Sequence, residues 1–180
     1  MNGKLLILII GIFLFPLPSQ SAEKISTFHR LLIFNSKSEL MVVKIKDTDF
    51  WITPSWYQDN TQLINEGMQH LAAEYGLTIS QPVLREIFTV KNQHDNSLSL
   101  RHFFSVNSDG KLVKKPEIIE EVRWLAVKDA VKLITFPYIN ILINQVVDHP
   151  DIVWGGSILR FKEGDEHKIK IIESLYPLFQ

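Results

Sequence analysis

An α+β fold (mixed α/β, a mixed sheet flanked by helices) is what this sequence predicts, and three observations predict it. Short apolar runs come in pairs parted by turn residues, the mark of paired strands. The hydrophobic period switches to a helical one near residue 60 and again near residue 127. No internal repeat, low-complexity tract or second-domain linker interrupts the chain, and 180 residues suit one domain.

The elements follow in order. Phe28–Phe34 (FHRLLIF) reads as a strand, Asn35-Ser36-Lys37-Ser38 as a turn, and Leu40–Lys46 as a second strand. Phe50-Trp51-Ile52 is a short apolar segment stopped by Pro54. From Asn60 the apolar residues Ile64, Met68, Leu71 and Tyr75 take helical spacing, with Gly76 as the C-cap. After Pro82, Val83–Val90 and Leu98–Val106 read as paired strands, and Asn107-Ser108-Asp109-Gly110 as a turn. Val122–Val127 is a further strand around Trp124, and Val127–Ile134 and Tyr138–Val147 are helices parted by Pro137. Asp148–Gly156 reads as a loop. Asp165 is placed to cap a last amphipathic helix carrying Ile169, Ile172 and Leu175.

Composition excludes several classes of function. There is no cysteine, hence no disulfide framework, thiolate metal site or cysteine nucleophile. A net charge of -1 gives no electrostatic footprint for nucleic acid. Met1–Ala22 has the layout of a secretory signal: Lys4, the apolar run Leu5–Phe15, Pro16 and Pro18, then small residues. The run is shorter than the ~20 residues that span a bilayer. The reading is an exported protein, periplasmic or secreted. It has no membrane span after cleavage, and its mature chain begins near Glu23 with net charge −2 once Lys4 is lost.

The order strand, turn, strand, Trp-x-x-Pro, then a helix ending in Glu74-x-Gly76-Leu77, resembles the Nudix hydrolase superfamily. Arg101-His102-Phe103-Phe104, Glu120-Glu121-Val122-Arg123-Trp124-Leu125 and Lys128-Asp129-Ala130 continue the likeness. It covers residues 27–147, so residues 23–147 are expected to form the domain, with 148–180 an extension packed on it. The family signature is G-x5-E-x7-R-E-U-x-E-E-x-G-U, with U a bulky aliphatic. Laid with its last Gly on Gly76, it starts at Ser55 and keeps Leu71, Glu74, Gly76 and Leu77. Ser55, Thr61, Gln69, His70 and Ala73 replace the other defined positions. The box is thus degenerate: three of the four retained residues shape the helix, while most of the lost ones carry chemistry.

The resemblance implies cleavage of a diphosphate-linked compound by divalent cations held on box carboxylates, which suits Mg²⁺ or Mn²⁺. Of those carboxylates Glu74 remains, Ala73 has no donor atom, and His70 offers a nitrogen better suited to Zn²⁺ or Ni²⁺. Catalytic candidates are therefore Glu74 and His70. Glu66, His70 and Glu74 are spaced i, i+4, i+8 along one helix face and form a candidate metal set. Against that stands an ordinary solvated charge ladder, the commoner use of such spacing. His102 lies on a strand that could approach this face, and Glu117, Glu120 and Glu121 are further acids near Trp124. Trp56 and Tyr57 are candidates for stacking on a ligand, with Trp51 beside them, and Arg85 and Arg101 for contacting a phosphate. Trp154-Gly155-Gly156 carries no motif.

The expectation from sequence is an exported Nudix-fold protein that binds a small-molecule diphosphate ligand or a protein partner without hydrolysing it. The alternative is a divergent metal-dependent hydrolase acting on a nucleoside-diphosphate-linked or other diphosphate compound. A third reading is transition-metal chemistry at Glu66/His70/Glu74. The resemblance also leaves room for a homodimer.

Overall fold

The apolar run Leu31–Phe34, polar on neither face, suits a strand covered on both sides. The computed structural model, which describes residues 25–111, 114–164 and 166–179, places this run at the centre of a nine-stranded mixed sheet. Residues 1–22, read above as an export signal, lie outside the described residues. The elements are β1 (Ile25–Phe34), β2 (Leu40–Ile45), β3 (Trp51–Ile52), β4 (Ser55–Tyr57), α1 (Ile64–Glu74), β5 (Val83–Asn92), β6 (Leu98–Asn107), β7 (Ile119–Leu125), α2 (Val127–Leu133), α3 (Pro137–Asp148), β8 (Val153–Glu163) and β9 (Glu166–Phe179). The sheet runs β3-β2-β1-β6-β5-β8-β9, with β7 added to β2 and β4 to β1. β1 lies parallel to β6 over ten register pairs, Ile25↔Leu98 through Phe34↔Asn107.

Alternation sends the side chains of β1 to two cores. Leu31 and Ile33 join Met41, Val43, Phe104 and Val106 under Met68, Leu71, Ala72 and Tyr75 of α1. Leu32 joins Leu40, Val42, Phe88 and Phe103 under Ile139, Leu142, Ile143 and Val146 of α3. Each of the Val, Leu, Ile, Phe and Met side chains among them contributes about 1.5–3 kcal/mol on burial. The helix ends are where expected: Gly76 has φ 72, and Leu77 N–H reaches back to Ala72 O at 3.0 Å. The first turn, Asn35–Ser38, is held by Asn35 Oδ1, which accepts from Lys37 and Glu39 N–H.

Two expectations for the C-terminal segment are corrected. Residues 166–179 form a strand rather than an amphipathic helix, and the loop assigned to 148–156 gives way to β8 at Val153. The apolar residues Ile169, Ile172 and Leu175 allow helical spacing, but Lys168-Ile169-Lys170-Ile171 alternates and is β-branched. Gly164, at φ 62, turns the chain so that Glu163 pairs with Glu166. β8 then lies parallel to β5 (Glu86↔Trp154 to Asn92↔Arg160), so β8 and β9 continue the same sheet. That placement also explains Gly155 and Gly156: a Cβ on either would meet Leu178 or Leu175 at 2.9 Å. β4 was not expected at all; its three residues pair with Phe28–Arg30 of β1. No helix among the described residues is long and apolar enough to cross a membrane.

Candidate functional site

The C-terminal end of α1, the short strands β3 and β4 and the start of β7 enclose a cleft of about 290 Å³. Its walls are apolar and aromatic, with Ile52, Trp56, Tyr57, Leu71 and Tyr75 among them, and Glu74 supplies a carboxylate. Tyr57 is exposed and sets its ring edge-on to Phe28, 4.7 Å away. Trp56 points to the α1 side of the sheet. Its ring is 4.6 Å from that of His29, and the His29 ring is 4.9 Å from that of His102. His29 Nε2 bonds Gln58 Oε1 at 2.9 Å, and Gln58 Nε2 donates to Gln62 O at 3.0 Å just before α1. An aromatic and imidazole stack thus fixes the base of the helix to the sheet.

The structure separates the residues that sequence grouped. Trp56, Tyr57 and Glu74 meet in the cleft. Glu74 Oε1 lies 3.4 Å from His70 Nε2 on an exposed helix face, whereas Glu66 turns back, its Oε2 accepting from Leu63 N–H at 3.2 Å. Among the described residues no three His, Cys, Asp or Glu side chains converge as metal ligands. With Ala73 offering no donor, this set does not fit a divalent-cation cluster. His102 stacks on His29. Glu120 pairs with Lys44 at 3.0 Å and Glu121 with Arg123 at 2.6 Å; that hydrogen bond holds the Glu121 carboxyl below its usual range. Arg85 sits at a bulge in β5 and lines a separate hollow of about 270 Å³ with Ser80, Ser105 and Asn107. It donates to Ser105 Oγ at 2.6 Å and to Pro150 O. Arg101 lies buried behind Phe28, its guanidinium 4.3 Å from the ring centre.

Sequence reasoning missed six buried polar groups: His29, Arg30, Thr53, Glu86, Ser99 and Ser105. A polar pair inside the run FHRLLIF was the available signal for the first two. A strand covered on both faces hides whatever interrupts its apolar residues.

Burial lowers the pKa of both histidines: His29 against the raising effect of its Gln58 bond, and His102 to about 4, with His29 adding repulsion. A folded-state pKa below the unfolded ~6.5 means the unfolded chain binds more protons in between. Their contribution to stability is therefore complete above pH 6.5 and drains away as pH falls toward 4. Thermal unfolding scanned from pH 7.5 to 4 should show this acid limb, with a slope of at most ~1.4 kcal/mol per pH unit for each histidine. His102→Gln should flatten it; an unchanged slope would remove His102 from the account.

No protein-family model matches the chain, and no curated protein does. Solved structures do. A mutator MutT protein from Bacillus halodurans superposes with TM-score 0.66 at 14% identity, covering 80% of this chain and 97% of that one. A NUDIX hydrolase from Nitrosomonas europaea gives TM-score 0.56 at 15% identity, over 69% and 90% of the two chains. A UDP-X diphosphatase gives TM-score 0.56 at 16% identity, over 73% and 68%. The class that this architecture defines is therefore the Nudix fold, as the resemblance in sequence implied. At such identities the likeness extends to the fold and not to the chemistry of the site.

Proposed function

We propose that this chain is an exported Nudix-fold binding protein, which holds a small ligand with an apolar or aromatic part in the α1 cleft without hydrolysing diphosphates. The cleft itself carries the reading. Where cation-dependent hydrolysis needs converging carboxylates, it offers Glu74 beside His70, set in walls of Trp56, Tyr57, Tyr75 and aliphatic side chains. The degenerate box points the same way, since the residues retained there shape the helix and most of those lost would bind metal. Export rests on the layout of Met1–Ala22.

The test is phosphate release by the full chain from nucleoside diphosphate, nucleoside triphosphate and sugar-nucleotide substrates with Mg²⁺, Mn²⁺ or Zn²⁺. The expected result is no turnover above background, from wild type or from Glu74→Gln. Binding of the same compounds, read by titration calorimetry, should weaken about tenfold in Trp56→Ala, the loss of one aromatic stacking surface. Metal-dependent turnover that disappears in Glu74→Gln would overturn the binding reading in favour of a rebuilt hydrolase. The His70–Glu74 pair would then be the first place to look for its ligands. N-terminal sequencing of envelope or medium fractions should find a chain beginning near Glu23; an intact Met1 would refute export by cleavage.

A further inference from the structure

On the face of the sheet opposite α1, β1 and β6 place two arginines on a diagonal, Arg30 opposite Phe103 and Arg101 opposite Phe28. Arg30 and Arg101 are 3% and 6% exposed. Neither belongs to an ion pair among the described residues. Arg30 uses one Nη1 on Thr53, whose carbonyl and Oγ1 accept at 2.9 and 3.0 Å. The Nε of each arginine is buried and makes no hydrogen bond, and so is Ser99 Oγ, two residues before Arg101 on the same face of β6. Arg30 lies over the rings of Phe28 and Phe103, at 5.4 and 5.7 Å, and Arg101 lies over Phe28.

Ring faces are weak compensation for two desolvated cations that also repel one another. Burial, together with Arg101, draws Arg30 down to about 10, so Arg30 stays charged at neutral pH, and the remaining groups acting on it are the phenols of Tyr138 and Tyr57. The nearest acid on this face by register is Glu86, two residues along β5 from Arg101's partner Phe88 and in line with Arg30 across Phe103. Its two carboxyl oxygens have no hydrogen-bond partner. The missing element is a negative charge with several acceptor atoms, matched to guanidinium forks.

We propose that Arg30 and Arg101 form a binding site for a small oxyanion, a phosphate or carboxylate group, with Ser99 Oγ as an added donor and Phe28 as the wall shared with the α1 cleft. This goes beyond the cleft reading and stands without it, because none of its donors belongs to the box helix. Phe28 lines the cleft and packs against exposed Tyr57, which puts the Arg101 guanidinium one ring's thickness from an open surface.

Thermal unfolding of the full chain, titrated with inorganic phosphate, phenyl phosphate or benzoate against chloride at equal ionic strength, tests it. At a concentration about 100 times Kd, a bound oxyanion should raise Tm by about 5–10 °C. Phosphate and carboxylate arms tell the two chemistries apart. Arg101→Gln should abolish the rise while leaving the anion-free Tm equal or higher, since it relieves repulsion. Arg101→Lys, which keeps the charge and loses the fork, should fold and respond weakly. No rise beyond that in chloride would overturn the proposal, and so would a rise that survives both Arg101→Gln and Arg30→Gln. Nucleotide binding that is lost in Trp56→Ala but kept in Arg101→Gln reports the cleft separately, so failure of one site does not disguise failure of the other.

Discussion

Gly67→Val should destabilise the protein by about 2–3 kcal/mol and loosen α1 from the sheet, although a valine in a helix would ordinarily be no worse than a glycine. The reason is a stack with no slack. A Cβ at Gly67 would lie 2.7 Å from Trp56 Nε1 and 2.8 Å from Gln62 Oε1. Trp56 cannot retreat, because the His29 ring stands 4.6 Å behind it and His102 a further 4.9 Å behind His29. His29 is itself fully buried and tied to Gln58. Gln62 is the more pliable neighbour, yet its backbone carbonyl holds Gln58. Gly67→Ala should show the same sign at smaller size, its helix-propensity gain of ~1 kcal/mol offset by the clash. Urea unfolding measures both, and tryptophan emission should shift red as Trp56 leaves its slot. Trp56→Leu combined with Gly67→Ala should recover part of the loss, since the two residues share one space. If Gly67→Val proved neutral, the stack would not be what sets the distance between helix and sheet.

The same stack shows what the sequence could and could not disclose. Apolar spacing over Ile64, Met68, Leu71 and Tyr75 is periodic and local, so the helix is legible, and Gly76 marks its end. The hairpins around Asn35 and between Val90 and Leu98 are local too. What pairs at long range is not: β1 with β6, β5 with β8, and β4 with β1 depend on contacts far apart in sequence. The misreading after Asp165 has this origin. Ile169, Ile172 and Leu175 satisfy a helical period as well as a strand, and β5, some eighty residues earlier and carrying β8 on its edge, decides between them. Within the candidate site, Trp56, Tyr57 and Glu74 were legible because a motif placed them on the same loop and helix. Arg101 was named for its charge, but its burial beside Arg30 follows from strand register, which the sequence does not spell out. Arg85, named with it, faces a different hollow because β5 bulges between Leu84 and Glu86.

Glu86→Met should stabilise the protein by about 2–3 kcal/mol at neutral pH, an unusual direction for a change at a 1% exposed position. Neither carboxyl oxygen of Glu86 has a hydrogen-bond partner, and burial pushes its pKa well above the usual carboxylate range. The flanking strands set Phe103 and Trp154 opposite it. Methionine fills nearly the same volume and has no charge to desolvate. The pH dependence fixes the interpretation. A folded-state pKa above the unfolded ~4.5 means that the folded chain binds more protons between the two values. The stability held by protonated Glu86 is therefore complete below pH 4.5 and lost as pH rises through the folded pKa. The gap between wild type and Glu86→Met should accordingly be small at pH 4 and widest at neutral or higher pH. This limb opposes that of His29 and His102, which lose stability in the acid direction, so the wild type should show a maximum between them and Glu86→Met a plateau on the alkaline side. A variant less stable than wild type would mean that Glu86 compensates a nearby cation in solution, with Arg101 the first candidate. The oxyanion site would then already hold an internal anion. A stabilised variant leaves the two arginines without a carboxylate from β5 and sharpens the case for one supplied by a ligand.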